Sequence, residues 1–238
     1  MKKLITMLCL AAMLLALAAC GGAADTQNTG AEPAAAPAEA GEPAAEADGN
    51  EFVFEAENVD LTYISGHGWS NEVMGTGLLI KDTYGAGASG GYALGYLYEN
   101  GNEIEFYVNA SEDMEATLVL RCTMESKDES ASIDYSMLEV TVNDGAPLQY
   151  RTLSFSGIPG LLTVKNELLP FANKTLGTVS LKQGENLIRF KITNDIPMEG
   201  TMQATAPIMD CIILRTDSAG TITWADGYPM NTDYIAAN

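Results

Sequence analysis

Three carboxylates have a spacing that favours metal chemistry. Glu55 and Glu57 are separated by one residue in a segment with strand character, so both side chains would lie on one face of that strand. Neighbouring carboxylates repel unless water or a cation lies between them, and hard oxygen ligands suit Ca²⁺. Asp210 stands in the apolar segment 208–214, where an unpaired charge would be costly. The alternative is that the glutamates face water at a sheet edge and Asp210 pairs with an arginine such as Arg121.

Aromatic side chains in a glycine-rich segment have the chemistry that saccharide recognition uses. Residues 66–95 contain too many glycines for a continuous strand and predict long loops, which can curve closely around a ligand. Flat rings there can stack against the C–H faces of sugars. We predict carbohydrate contacts from Trp69, Tyr84, Tyr92 and Tyr96. Loop packing is the alternative for Trp69, and a place in the core or at the rim is the alternative for Tyr92 and Tyr96.

Catalytic signatures are absent from the sequence. His67 is the single histidine, it precedes a glycine, and no G-x-S-x-G or H-E-x-x-H motif occurs. Glycoside hydrolysis needs two facing carboxylates, but among 32 acidic residues some pair is inevitable and therefore uninformative. We predict that the chain is not an enzyme.

The N-terminal segment predicts export. Two lysines precede the uncharged stretch 4–19, which is shorter than the roughly 20 residues of a spanning helix. Residues 17–21, Leu-Ala-Ala-Cys-Gly, resemble the lipobox of bacterial lipoproteins. The resemblance implies removal of signal peptide 1–19, lipidation of Cys20 and a lipid-anchored chain that faces outside the cytoplasm, in an extracellular or periplasmic location. An ordinary secretory signal that contains a cysteine is the alternative.

The rest of the chain divides into a linker and one domain. Residues 20–50 begin with Cys20 and continue as an Ala/Pro/Glu-rich segment without apolar periodicity, which predicts disorder. Residues 51–238 are long enough for one domain with its own core. The net charge of −20 argues against a nucleic-acid partner.

Alternating apolar and polar residues predict an all-β domain. Turn signals such as Asn100-Gly101 and Gln183-Gly184 separate the segments, and no sustained helical period follows the signal peptide. Short strands without alternating helices favour a β-sandwich. The predicted strands are 52–57, 103–108, 116–124, 138–142, 176–181, 186–192 and 208–214.

An ordered set of motifs resembles family 6 and family 35 carbohydrate-binding modules. The motifs run in order through residues 52–214: 54–57 (FEAE), 90–95 (GGYALG), 103–108 (EIEFYV), 118–121 (LVLR), 138–145 (LEVTVNDG), 181–189 (LKQGENLIR) and 208–212 (IMDCI). The resemblance implies a jelly-roll β-sandwich of the galactose-binding-like type. Another β-sandwich, such as an adhesin or an immunoglobulin-like domain, is the alternative.

The resemblance also implies where ligands would bind. It implies a structural calcium held by Glu55, Glu57 and Asp210, and a sugar cleft at the end of the sandwich that the glycine-rich loops reach. Many family members carry an asparagine just before the late aspartate, whereas this chain has Ala-Pro-Ile-Met at 206–209. The chain thus departs from the family pattern at this position.

Together these features predict a surface-tethered, non-catalytic carbohydrate-binding module with a structural calcium and a membrane lipid anchor. A structural or adhesive envelope lipoprotein that binds a protein partner is the alternative. Cys122 and Cys211 lie in apolar strand-like segments, and although export permits a disulfide, we expect two free thiols. Trp224 lies beyond the matched motifs and is expected to pack.

Overall fold

The structure is a computed structural model. Its contacts divide the chain into the units Met1–Ala45 and Glu46–Asn238, and every described residue belongs to the second. The described residues are 49–61, 69–71, 75–77, 79–81, 87–95, 97, 100–124, 130–157, 169–193 and 206–231. Cys20, the predicted signal peptide and linker residues 21–48 therefore lie outside them, while the last two residues of the predicted linker, Gly49 and Asn50, are described and Asn50 opens the first strand.

Strands account for nearly all of the regular structure. In chain order they are β1 Asn50–Glu55, β2 Trp69–Asn71, β3 Gly75–Gly77, β4 Leu79–Lys81, β5 Tyr92–Leu94, β6 Glu103–Ala110, β7 Met114–Thr123, β8 Ser130–Ile133, β9 Leu138–Val142, β10 Leu153–Ser156, β11 Ala172–Leu181, β12 Gly184–Ile192, β13 Ile208–Thr216 and β14 Ile222–Trp224. Two 3₁₀ helices cover Ala56–Asn58 and Ser89–Gly91.

Two antiparallel sheets form the body of the domain. One has the order β11-β7-β13-β5-β4, with β1 also paired to β13, and the other has the order β14-β6-β12-β9. The pairs β8–β10 and β2–β3 form small separate sheets. The predicted all-β, jelly-roll sandwich is confirmed.

The core lies between the sheets because the strands alternate. In β6 the side chains of Ile104, Phe106 and Val108 are fully buried, while the intervening residues are only partly so. β12 follows the same pattern, and Phe190 meets Phe106 edge to face with ring centroids 5.8 Å apart. Burying such side chains is worth roughly 1.5–3 kcal/mol each, so this alternation accounts for much of the stability.

Several strand predictions need correction. The segment 66–95, predicted as mostly loops, contains four three-residue strands, β2 to β5. Short pairings of this kind carry too few residues to show a period of two in the sequence. β8, β10 and β14 were not predicted, for the same reason. The predicted strand 52–57 ends at Glu55, after which the chain turns into a 3₁₀ helix.

Both cysteines of the domain are free and buried, as expected. Cys122 belongs to the core between the sheets, whereas Cys211 packs in a separate cluster with Val119 and Ile213. In the described part of the chain, no helix is long and apolar enough to cross a membrane.

Candidate functional site

Asp210 sits at an irregularity of β13. The register between β13 and β7 shifts between Met209 and Cys211, so Asp210 is the extra residue of a β-bulge. A bulge re-aims the side chain that it carries. The side chain of Asp210 is fully buried, and the bulge places it beside Arg121 of β7.

Both oxygens of the Asp210 carboxylate have partners. Oδ2 lies 2.5 Å from Nε of Arg121, and Oδ1 accepts a hydrogen bond from the backbone N–H of Ser89 at 2.8 Å. Arg121 also donates to the carbonyl of Gly87. Burial raises the pKa of Asp210, while Ser89 and Arg121 act in the opposite direction. The guanidinium thus supplies the positive charge that a buried carboxylate requires.

Ser89 links this pair to the first strand. Its hydroxyl donates to Oε2 of Glu55 at 2.7 Å, and burial raises the pKa of Glu55 despite that hydrogen bond. Glu55, Ser89, Asp210 and Arg121 therefore form one polar cluster that joins β1, β7, β13 and the second 3₁₀ helix.

The three acids do not assemble as the calcium prediction assumed. Glu57 lies in the 3₁₀ helix after β1, so it does not share a strand face with Glu55, and it is fully buried rather than facing water. Among the residues that the structure describes, no group of three acidic, histidine or cysteine side chains is arranged to hold a metal ion. Arg121 already pairs with Asp210, which was the alternative. These residues do not fit a three-carboxylate site, and calcium binding stays a prediction.

Two of the four predicted sugar contacts lie outside the described residues, and a third is described only by its backbone. Trp69 opens β2, where it pairs in register with Gly77, but only its backbone position is described. Tyr92 is half-buried at the start of β5. Tyr84 and Tyr96 lie outside the described residues. All four stay predictions as ligand contacts.

A pocket of about 210 Å³ opens where the chain after β14 folds back over β6. We call it the tail pocket, and its walls include Asp60, Glu105, Tyr107, Trp224, Tyr228 and Met230. Asn231 contributes two of the hydrogen bonds that hold this segment in place: its backbone N–H donates to the carbonyl of Asn58 at 3.2 Å, and its side chain donates to the carbonyl of Glu57 at 3.1 Å.

Three aromatic rings form the walls of the tail pocket. Tyr107 and Tyr228 are stacked, with ring centroids 3.7 Å apart and an interplanar angle of 11°. Trp224 stands edge-on to Phe54 at 5.1 Å and stacks on Phe106 at 6.0 Å, so the core fixes one side of the indole while the ring stays partly exposed. The rings are thus ordered before any ligand arrives.

The phenol groups are held by carboxylates. The hydroxyl of Tyr107 donates to Oε2 of Glu105 at 2.7 Å, and that of Tyr228 donates to Glu185. Burial and then the hydrogen bond to Glu105 raise the pKa of Tyr107 to about 12. Both phenols therefore stay protonated at neutral pH.

Sequence reasoning missed most of the tail pocket. Trp224 was expected to pack, which it does, but it also lines the pocket. The alternation of β6 could have shown that Glu105 and Tyr107 share the outward face, since both fall between buried positions. Nothing in the sequence signals that Tyr228, 121 positions later, would cover Tyr107.

Comparisons with known proteins give likenesses of structure only. No family model matches the chain, and no curated protein matches it. The chain is similar to a family 35 carbohydrate-binding module from Cellvibrio japonicus Abf62, with 14% identity over 74% of this chain and 99% of that one and a TM-score of 0.44. It is similar to a family 35 module from an environmental isolate, with 21% identity over 73% and 97% and a TM-score of 0.43.

The chain is also similar to part of a larger enzyme. In the Podospora anserina β-(1,4)-mannanase that carries a family 35 module, the match has 19% identity and a TM-score of 0.44. It covers 72% of this chain but 28% of that one. The similar structures thus include modules of the family that the sequence motifs resemble.

Proposed function

We propose that the chain is a non-catalytic carbohydrate-binding module and that the tail pocket is its sugar site. The observation that carries the proposal is the combination of ordered aromatic rings with carboxylates in one open pocket. Sugars present C–H faces that stack on such rings and hydroxyls that donate to such oxygens. The volume of about 210 Å³ lies below the roughly 300–1,000 Å³ of pockets for drug-sized ligands, so it suits a single sugar unit.

The same proposal includes a lipid anchor. The charge pattern of the signal peptide and the lipobox-like residues 17–21 support lipidation of Cys20. Anchoring would hold the sugar site at the cell surface, where polysaccharides are encountered.

The alternative, a protein-binding envelope lipoprotein, would be favoured by a contiguous apolar patch on the surface. Within the described residues, the exposed large apolar side chains are Val53 and Tyr135, which belong to different parts of the fold. Two separate side chains do not make such a patch, and the tail pocket favours the sugar.

A tyrosine substitution tests the site. We expect the full mature chain to bind at least one glycan on an array, and Tyr228→Ala to weaken that binding about tenfold, because it removes one ring of the wall. Tyr135→Ala is the matched control, since Tyr135 is 48% exposed and lies outside the pocket. Equal affinities of the two variants, measured by calorimetry with unchanged melting temperatures, or a wild type that binds no glycan, would overturn the proposal.

A further inference from the structure

The tyrosine and carboxylate groups of the tail pocket present hydrogen-bond acceptors to a ligand. The protons of Tyr107 and Tyr228 are committed to Glu105 and Glu185 within the protein. The carboxylates of Glu105 and Asp60 line the pocket itself. A ligand that enters therefore meets the lone pairs of these oxygens, beside Trp224 and Asn58, two lining residues whose side chains carry N–H donors.

Basic groups near the pocket are already shared among several acids. Arg189 lies 2.8 Å from Oε1 of Glu105, 2.7 Å from Oδ1 of Asp144 and 3.4 Å from Oε2 of Glu103. These contacts, those with Glu105 first, raise the pKa of the guanidinium. Lys191, the next base on β12, pairs with Glu103 at 2.8 Å. Three carboxylates thus share two basic groups, which leaves a local excess of one negative charge.

The lining residues of the pocket, within the described part of the chain, include two acids and no base. A carboxylate on the ligand would thus approach Asp60 and Glu105 without a cation to receive it. The net charge of −20 adds repulsion at longer range. An uncharged sugar meets no such opposition, because its hydroxyls donate to the same oxygens that repel an anion.

From this charge pattern we infer that the tail pocket selects sugar units without an acidic group and rejects uronic acids. The inference rests on the proposed function, since it assigns the ligand class of the same site. It makes Asp60 and Glu105 specificity-determining residues, with the aromatic rings supplying affinity for either kind of sugar.

The test compares paired ligands of equal length. Oligogalactosides and oligoglucosides are titrated against the full mature chain, beside the matching oligogalacturonides and oligoglucuronides. We expect a neutral member to bind and its acidic partner to bind at least tenfold more weakly at low salt. Raising the salt from 0.05 to about 0.5 M should narrow the difference severalfold, because screening weakens repulsion between solvent-accessible charges.

Asp60→Asn should also narrow the difference in affinity between neutral and acidic saccharides, because it removes one of the two lining charges and keeps the side-chain shape. Asp217→Asn is the matched control: it removes the same charge from an exposed loop that does not line the pocket. This control should leave the ratio of neutral-sugar affinity to uronic-acid affinity within about twofold of the wild-type ratio.

The outcomes separate the two proposals. If no saccharide of either kind binds, the proposed function fails. If uronic acids bind as well as neutral sugars, or if Asp60→Asn and Asp217→Asn change the ratio equally, the selectivity inference fails while carbohydrate binding stands.

Discussion

At the residue scale, the decisive feature is the buried charge of Asp210. Its ion pair with Arg121 and its hydrogen bond from Ser89 use both carboxylate oxygens. The guanidinium already supplies the positive charge that a metal ion would bring to this carboxylate. The aspartate by itself is compatible with an arginine or a metal ion as its partner, and the bulge in β13 places it beside Arg121.

Removal of Arg121 should therefore be costly. Arg121→Ala leaves a buried carboxylate without its cation, and we expect the free energy of unfolding to fall by on the order of 3 kcal/mol. Arg151→Ala, at an exposed position, should change it by less than about 0.5 kcal/mol. Urea denaturation of both variants measures the difference, and equal stabilities would contradict the role of the ion pair.

A chelator distinguishes an Asp210 that pairs with arginine from an Asp210 that binds a metal ion. With Arg121 in place, we expect EDTA to leave the melting temperature of the wild type unchanged. A ligand that binds only the native state raises that temperature by mass action. A drop on addition of EDTA, reversed by excess calcium, would establish the calcium site predicted from the sequence.

At the element scale, the side chain of Asn186 connects two turns by hydrogen bonds. Asn186 at the start of β12 is buried, and its amide donates to the carbonyls of Lys182 and Gly184 at 2.8 and 2.9 Å. Its Oδ1 accepts from the Lys182 backbone N–H and from Nδ2 of Asn143, both at 2.8 Å. Asn143 follows β9 and takes a positive φ of 52°, a conformation that asparagine tolerates better than most residues. The network fixes the β11–β12 connection against the end of β9.

Truncation of this asparagine should destabilise the domain. Asn186→Ala leaves several backbone and side-chain groups without their partners, and we expect a loss of about 2–3 kcal/mol. Asn109→Ala on β6 is the control, because Asn109 is exposed. Chemical denaturation followed by fluorescence measures both, and a loss below about 0.5 kcal/mol for Asn186→Ala would show that other groups hold the turn.

At the scale of the whole molecule, the chain combines a strongly acidic composition with a proposed lipid anchor. The chain's net charge of −20 opposes adsorption to anionic lipid, so attachment would depend on the proposed lipid at Cys20. The proposed sugar site and the proposed anchor lie in different parts of the sequence, and the two functions can be tested independently.

Substitution of Cys20, the predicted lipidation site, tests the anchor. Because the thioether needs a thiol, Cys20→Ser should release the protein from the membrane fraction or leave it unprocessed. Glycan binding by the purified variant should match that of the wild type. Fractionation and gel mobility identical to the wild type would refute lipidation of Cys20.

The sequence by itself determined the class of the fold. A period of two in segments such as 103–108 and 186–192 reports which residues face the core, because successive side chains of a strand alternate between faces. This local rule holds without knowledge of the partner strand. It was sufficient for β6, β9 and β12, and insufficient for three-residue strands such as β2 and β14.

Only the tertiary structure decided which side chains meet. Tyr107 and Tyr228 stack because the tail returns over β6, and Arg121 reaches Asp210 because a bulge re-aims one residue. Both contacts join residues far apart in sequence, so they depend on the register and direction of whole elements. The same reason separated Glu57 from Glu55. The strand ends at Glu55, two residues before the predicted end at Glu57, so the two carboxylates do not share a strand face.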